Sequence, residues 1–449
     1  MSPVDRARPP LAGEVRDVRF PAFERARLAN GLELYLARWP ALPLVNLQLL
    51  MPAGARLDPP GAAGLASLHG GLLDEGTDRR TALDVASFIE RLGGYLGTGA
   101  DWDVAYLGAT VLSTHLEAAL ELFADLARSS CFRAAEVDRA RRHRLAEILR
   151  RKGQPAALAD RFFSRVVYAG TVYAEPLIGT EESVRKLGRG DFESFFRRHA
   201  SPSGGALLAV GDVDPATLAR RAGEVFGDWQ GAAAEPPAPV APPPLDGLEI
   251  HVVDRPGSAQ TQLQLGHLGI ARNHPDQPEA LLANVVLGGN FTSRLNLNLR
   301  EKHGVTYGAH SQFVYRRESG PLVIRLAVAT EAAAKAVREI VAEMRRLHEE
   351  LVTAKELRET QDFLVGAFPT TLQTVSDLAR RLETLAVFGM PDDYYQSFPA
   401  LLRGLTAEGV RAAARRYLHP DGMAVVAVGP AAELRRQLEP VGPVTVHTP

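Results

Sequence analysis

The stretch Leu287-Gly-Gly-Asn-Phe-Thr-Ser-Arg-Leu-Asn-Leu-Asn-Leu-Arg-Glu-Lys-His-Gly-Val-Thr-Tyr-Gly-Ala-His-Ser311 carries the most local structure in this chain. Thr292 and Ser293 are N-cap candidates, because a short hydroxyl accepts from the free N–H groups of a first helical turn. Behind them Leu295 and Leu299 recur at i, i+4, the spacing of one helix face. Gly304 supplies a stop, and Lys302 and His303 put cations where a helix C-terminus favours them. The period then changes to two, with Val305, Tyr307 and Ala309 on one face of a predicted strand. Arg300 thus sits in the last turn of a helix and Tyr307 at the start of a strand, across one tight corner.

The chain around this corner has 449 residues, too many for one small core, so two or more domains are expected. Its 46% hydrophobic and 23% charged residues are an ordinary globular composition. A net charge of −2 offers no broad basic field, which argues against nucleic acid as a partner. The single Cys131 excludes intrachain disulfides and a thiolate metal cluster. No apolar run reaches membrane-spanning length; Leu42–Ala55 is broken by Asn46, Gln48 and two prolines, so no membrane partner is expected. Met1–Pro10 holds no apolar signal-peptide core, which predicts a soluble cytoplasmic chain, or a periplasmic one had a signal been removed.

Residues 231–245, rich in Pro and Ala, read as an extended linker between an N-terminal domain (1–230) and a C-terminal domain (246–449). The two are related. Asn30-Gly-Leu-Glu-Leu-Tyr-Leu-Ala matches Asp246-Gly-Leu-Glu-Ile-His-Val-Val, 216 positions on, and the same shift pairs Asn46-Leu-Gln-Leu with Gln262-Leu-Gln-Leu. Arg197-Arg-His-Ala-Ser-Pro matches Arg415-Arg-Tyr-Leu-His-Pro, 218 positions on. Two blocks in nearly one register indicate duplication. Alternation at Leu32–Leu36 and Val45–Leu49 predicts paired strands, and Val104–Val111 a further strand. Helical spacing marks Ala82–Leu92, Leu116–Ala127, Ala332–Leu351 and Ala407–Tyr417. Each unit is therefore predicted to be α+β, an antiparallel-rich sheet covered by helices on one face.

The run Leu-Gly-Gly-x-Phe-x-Ser-Arg-Leu, followed by Leu-Arg-Glu-Lys-x-Gly-Val-Thr-Tyr, resembles the C-terminal-half motif of the pitrilysin/insulinase metallopeptidases, the inverted zincins. The resemblance spans almost the whole chain and implies two domains facing each other. It also implies that Arg300 and Tyr307 reach toward substrate beside a zinc held by an N-terminal half. That half, by resemblance, carries His-x-x-Glu-His inside a Gly-Leu-Ala…Gly-Thr frame. The frame survives as Gly64-Leu-Ala and Gly76-Thr77, but the first His falls on Ser67, the Glu on Gly70 and the second His on Gly71. The family's third ligand matches Glu147, and a supporting Glu falls on Ala140. Catalytic zinc takes three protein ligands with a fourth position open, so this chain is expected to bind no metal.

No other cluster substitutes for it. His69 lacks a His or carboxylate at i±4 and reads as a packed or solvent-tipped histidine; His143 and Glu147 share a helix face crowded by Arg141, Arg142 and Arg144. No G-x-S-x-G, P-loop or G-x-G-x-x-G is present. The resemblance then implies a non-catalytic subunit, inactive alone, that lends Arg300 and Tyr307 to a zinc-bearing homologous partner acting on extended peptides. The alternatives are a structural scaffold and a peptidase with an unrecognised metal site. Gly93-Gly-Tyr-Leu-Gly-Thr-Gly-Ala matches the family's substrate-binding sheet edge, with the family's Asn on Gly97; its glycines are expected to weaken that strand.

Overall fold

The structure, a computed structural model, describes residues 18–232 and 240–449. The N-terminal decapeptide and residues 233–239 of the Pro-rich stretch lie outside the described residues.

Short alternating segments build two six-stranded sheets. The first contains β1 (Glu24–Arg27), β2 (Glu33–Arg38), β3 (Leu44–Met51), β4 (Tyr95–Ala100), β5 (Ala105–Leu112) and β6 (Ala206–Gly211), in the order β1-β2-β6-β3-β5-β4. The second contains β7 (Leu248–Asp254), β8 (Thr261–Leu268), β9 (Thr306–Phe313), β10 (Pro321–Val328), β11 (Met423–Gly429) and β12 (Val444–His447), in the order β12-β7-β11-β8-β10-β9. The repeated blocks occupy equivalent strands: β2 with β7, β3 with β8, β6 with β11. Both halves are mixed α+β with mainly antiparallel pairing.

Two expectations change. Leu32–Leu36 and Val45–Leu49 lie in strands, but those strands are not neighbours. β6 lies between them, parallel to β2 (Leu34 opposite Leu207) and antiparallel to β3 (Leu47 opposite Ala209). All six residues of β6 are buried, as befits a central strand covered on both faces. The second change is that helices cover not one face of each sheet but both.

The second face is covered by exchange. The Pro155–Val167 helix of the first half places Leu158, Phe162 and Phe163 on Val323, Val426 and Val428 of the second sheet. The Val375–Phe388 helix of the second half places Leu378, Leu382 and Leu385 on Tyr35, Leu50 and Leu208 of the first. Each has a firm start: Pro155 opens the former, where its missing N–H costs nothing, and Thr374 and Asp377 cap each other at the latter. Among the described residues no helix is long and apolar enough to cross a membrane.

Candidate functional site

The corner at 300–307 forms, with a difference in its helix. Leu295 and Leu299 are buried in the second core, and Gly304 turns the chain at φ +61°. Asn296–Lys302, however, is wound as a π-helix, with His303 N–H bonding Asn298 O, a local widening frequent at functional sites. The expected caps act otherwise: the Ser293 hydroxyl takes the Asn296 side-chain amide (3.2 Å) rather than a backbone N–H. Asn296 in turn accepts from Ala309 N–H (3.0 Å), tying the helix to β9.

β9 does not alternate regularly either. Ala309 faces Leu326 and Thr306 faces Val328, so Tyr307 and Gly308 of β9 together oppose the single Ala327 of β10 in a bulge. Thr306 stabilises it, donating to Ala327 O (2.8 Å) and accepting from Gly308 N–H (3.2 Å). Ala309 is consequently buried while Tyr307 is 89% exposed, an exposure that excludes a packing role for its ring. Bulges re-aim side chains in this way.

Arg300 and Tyr307 meet. The guanidinium lies 5.1 Å from the Tyr307 ring centroid and 4.4 Å from that of Phe291, itself exposed. Among the described residues it ion-pairs with the adjacent Glu301, Nε to Oε1 3.3 Å, a partly exposed contact of small energetic weight. Cation–π stacking thus orders an Arg between two aromatic rings on the surface. Phe291 is the member that residue-by-residue reading did not single out, although it stands inside the motif. Arg294, also inside it, is structural: it forms a bidentate pair with Glu356 at 2.8 and 2.9 Å. Burial, the largest single influence, would raise the Glu356 carboxyl, but the hydrogen bonds and charge of Arg294, with the Thr353 N–H and the charge of Arg346, together hold it below its ordinary value.

The residues at the metal positions cluster separately. Ser67, Gly70 and Gly71 stand on or beside the Leu65–Gly70 helix, and Glu147 is on the Ala134–Lys152 helix. Between them lies Arg144. Its Nη1 donates to Ser67 Oγ (3.0 Å) and Ile178 O (3.1 Å), and its Nε is 3.4 Å from Glu147. Arg151 holds the other Glu147 oxygen at 2.7 Å. Ala140 packs against the first core. The donor set does not fit zinc: two glycines offer no ligand atom, the serine is engaged, and a half-buried guanidinium repels a dication. Among the described residues no three His, Cys, Asp or Glu side chains converge as a metal centre requires.

Backbone fills the remaining room. A Cβ at Gly70 would stand 2.3 Å from the carbonyl carbon of Gly99 in β4. The glycines of β4 therefore do not simply weaken a strand; they let it close onto the helix, and all six residues pair with β5. β4 is the outer strand of its sheet. His69 is packed, fully buried against Phe132, Phe195 and Phe196.

The family description "Insulinase (Peptidase family M16)" matches residues 37–181, and "Peptidase M16 inactive domain" matches residues 186–364. An uncharacterized zinc protease of Streptomyces coelicolor is 26% identical over 292 residues, 64% of this chain and 63% of that protein. The uncharacterized zinc protease YmxG of Bacillus subtilis is 22% identical over 362 residues, covering 80% of this chain and 87% of that one. The structure of a peptidase M16 inactive domain from Pseudomonas fluorescens superposes with TM-score 0.85 at 28% identity, covering 91% of this chain and 98% of that chain. A protease from Helicobacter pylori gives TM-score 0.85 at 21% identity over 92% and 100% of the two chains, a likeness of fold.

Proposed function

We propose, because this chain belongs to the M16 insulinase family of peptidases, that it is the non-catalytic subunit of a two-subunit peptidase. A homologous partner would carry His-x-x-Glu-His and the zinc; this chain would lend Arg300 and Tyr307. The observation that carries the reading is the pairing of an intact, surface-presented Arg300–Tyr307 corner with a first-half site filled by Arg144. The exposed Tyr307 hydroxyl is free to donate to the oxyanion of a peptide under attack, and the Arg300 guanidinium to bind a substrate carbonyl. Substrate would be an extended peptide added as a strand to the partner's sheet edge, with this chain closing the chamber; folded proteins would then be cut more slowly than unfolded ones.

The test mixes wild-type or Tyr307→Phe chain with the zinc-bearing homologue and measures kcat, KM and complex formation. Loss of one oxyanion donor typically costs about 10²–10³ in kcat, and an exposed ring leaves assembly unchanged. Full activity with Tyr307→Phe would instead assign the chain a scaffold role, the reading favoured by the closed first-half site alone.

A further inference from the structure

A second site lies away from this corner. Between the exchanged Pro155–Val167 helix, the 175–180 loop with the start of the Glu181–Lys186 helix, and the outer face of β8 and β10 is a cavity of about 630 Å³, within the roughly 300–1,000 Å³ of small-molecule sites. Leu158, Phe163, Ile178 and Val323 give it an apolar wall. Arg316, from the β9–β10 loop, borders it and is only 7% exposed.

Arg316 is unusual in its surroundings. Its guanidinium lies 4.7, 4.4 and 4.5 Å from the ring centroids of Trp102, Tyr168 and Tyr173. Nε and Nη1 are buried with no acceptor. Asp103 and Glu318 are near enough to act through their fields. Yet Asp103 is engaged by Arg317 N–H (3.1 Å) and lies 3.7 Å from Arg56. Several charged groups at the rim are paired: Arg325 with Asp160 at 2.8 Å, Lys152 with Glu181, and Glu182 with the nearby Lys186 at 2.6 Å. Burial holds the Arg316 guanidinium below its ordinary value. A buried charge without a hydrogen-bonded anion is costly, and aromatic faces compensate it only in part.

We propose that this cavity binds a small apolar monocarboxylate, its carboxylate received by Arg316 and its body lying on Leu158, Phe163, Ile178 and Val323. Arg316 is a lining cation buried without a hydrogen-bonded acceptor, and guanidinium–carboxylate geometry gives the strong, charge-assisted bond. Acids at the rim disfavour a dianion. The carboxylate has two possible sources, a fatty acid or the C-terminus of a short apolar peptide.

Calorimetric titration of the full chain separates the outcomes, using decanoate and N-acetyl-leucyl-leucine, each beside its neutral analogue, decanol and N-acetyl-leucyl-leucinamide. At least one carboxylate is expected to bind one per chain, its neutral analogue at least about tenfold more weakly, and Arg316→Met to lose a similar factor. Whichever carboxylate binds identifies the source. Ala157→Phe, which fills the cavity and leaves Arg316 in place, should abolish binding and keeps the test open should Arg316→Met fail to fold. Binding of neither carboxylate at millimolar concentration, equal binding of the neutral analogues, or undiminished binding by Ala157→Phe would overturn the proposal.

Discussion

His69 carries its imidazole into a box of rings, with centroids 5.3, 5.1 and 5.8 Å away on Phe132, Phe195 and Phe196, and neither ring nitrogen has a partner. Burial, assisted by the charge of His199, pushes its pKa down to about 3. A proton therefore binds the unfolded chain more readily than the folded one. The stability contributed by the neutral ring is complete above the ordinary histidine value near 6.5 and drains away as pH falls toward 3, by on the order of 1 kcal/mol per pH unit. His267, pushed by burial to about 3, and His199, to about 4, act in the same direction. Buried Asp58 and Glu383, raised to about 7, act in the opposite one. Comparing wild type with His69→Phe isolates the single ring: between pH 6.5 and 4, denaturant unfolding should show wild type losing more stability than the variant. Equal losses would mean that His69 is not held neutral.

The Leu65–Gly70 helix is anchored at its start by Asp58, which accepts from Gly64 N–H (2.8 Å) and Ala66 N–H (2.7 Å). Its last turn rests directly on β4 through Gly70 and Gly99. This element pair decides whether the first-half site can be rebuilt. Placing His at Ser67, Glu at Gly70 and His at Gly71 would supply the missing donor atoms on paper. The new Cβ at residue 70 collides with strand backbone, which has no rotamer to escape through, and Arg144 still fills the centre. The triple variant Ser67→His/Gly70→Glu/Gly71→His is therefore expected to lose stability by about 2 kcal/mol or more and to retain no zinc after dialysis, as should wild type. One zinc per chain in either protein, by elemental analysis, would contradict this account.

Across the whole molecule, each half covers the other's sheet. Phe163 (2% exposed) and Leu382 (0%) are among the residues that cross. Burying one such side chain is worth about 1.5–3 kcal/mol, and a half expressed alone loses the helix that the other half lays on its sheet. We expect fragments 1–230 and 246–449 to bind a hydrophobic dye and aggregate when separate, and to form a folded, dye-silent complex when co-expressed. Two monomeric, dye-silent fragments would show that each half completes its own core. Leu382→Ala in the intact chain should cost about 2–5 kcal/mol and lower the stability of both halves in one thermal transition.

The duplication, the strand and helix segments and the turn between Arg300 and Tyr307 were legible in the sequence, while the positions Ser67, Gly70 and Gly71 were marked only by the resemblance. The segments and the turn are local signals, a period of two or 3.6 and a glycine after a helix, and the duplication is a repeat visible in the residues themselves. The insertion of β6 between β2 and β3 was not legible, because strand pairing joins residues far apart in the chain with no local mark. The same holds for the exchanged helices, whose amphipathic pattern shows an apolar face but not which sheet receives it. Arg144 read as one cation in a basic run, and only packing set it against Ser67 and Ile178. Phe291 joined Arg300 through the π-turn, and the bulge in β9 turned Tyr307 outward where strict alternation grouped it with buried Ala309. Arg316 found Trp102, Tyr168 and Tyr173 across the two halves. Sequence alone determined which groups were available; the tertiary structure decided their neighbours, because burial and contact are properties of distant segments brought together.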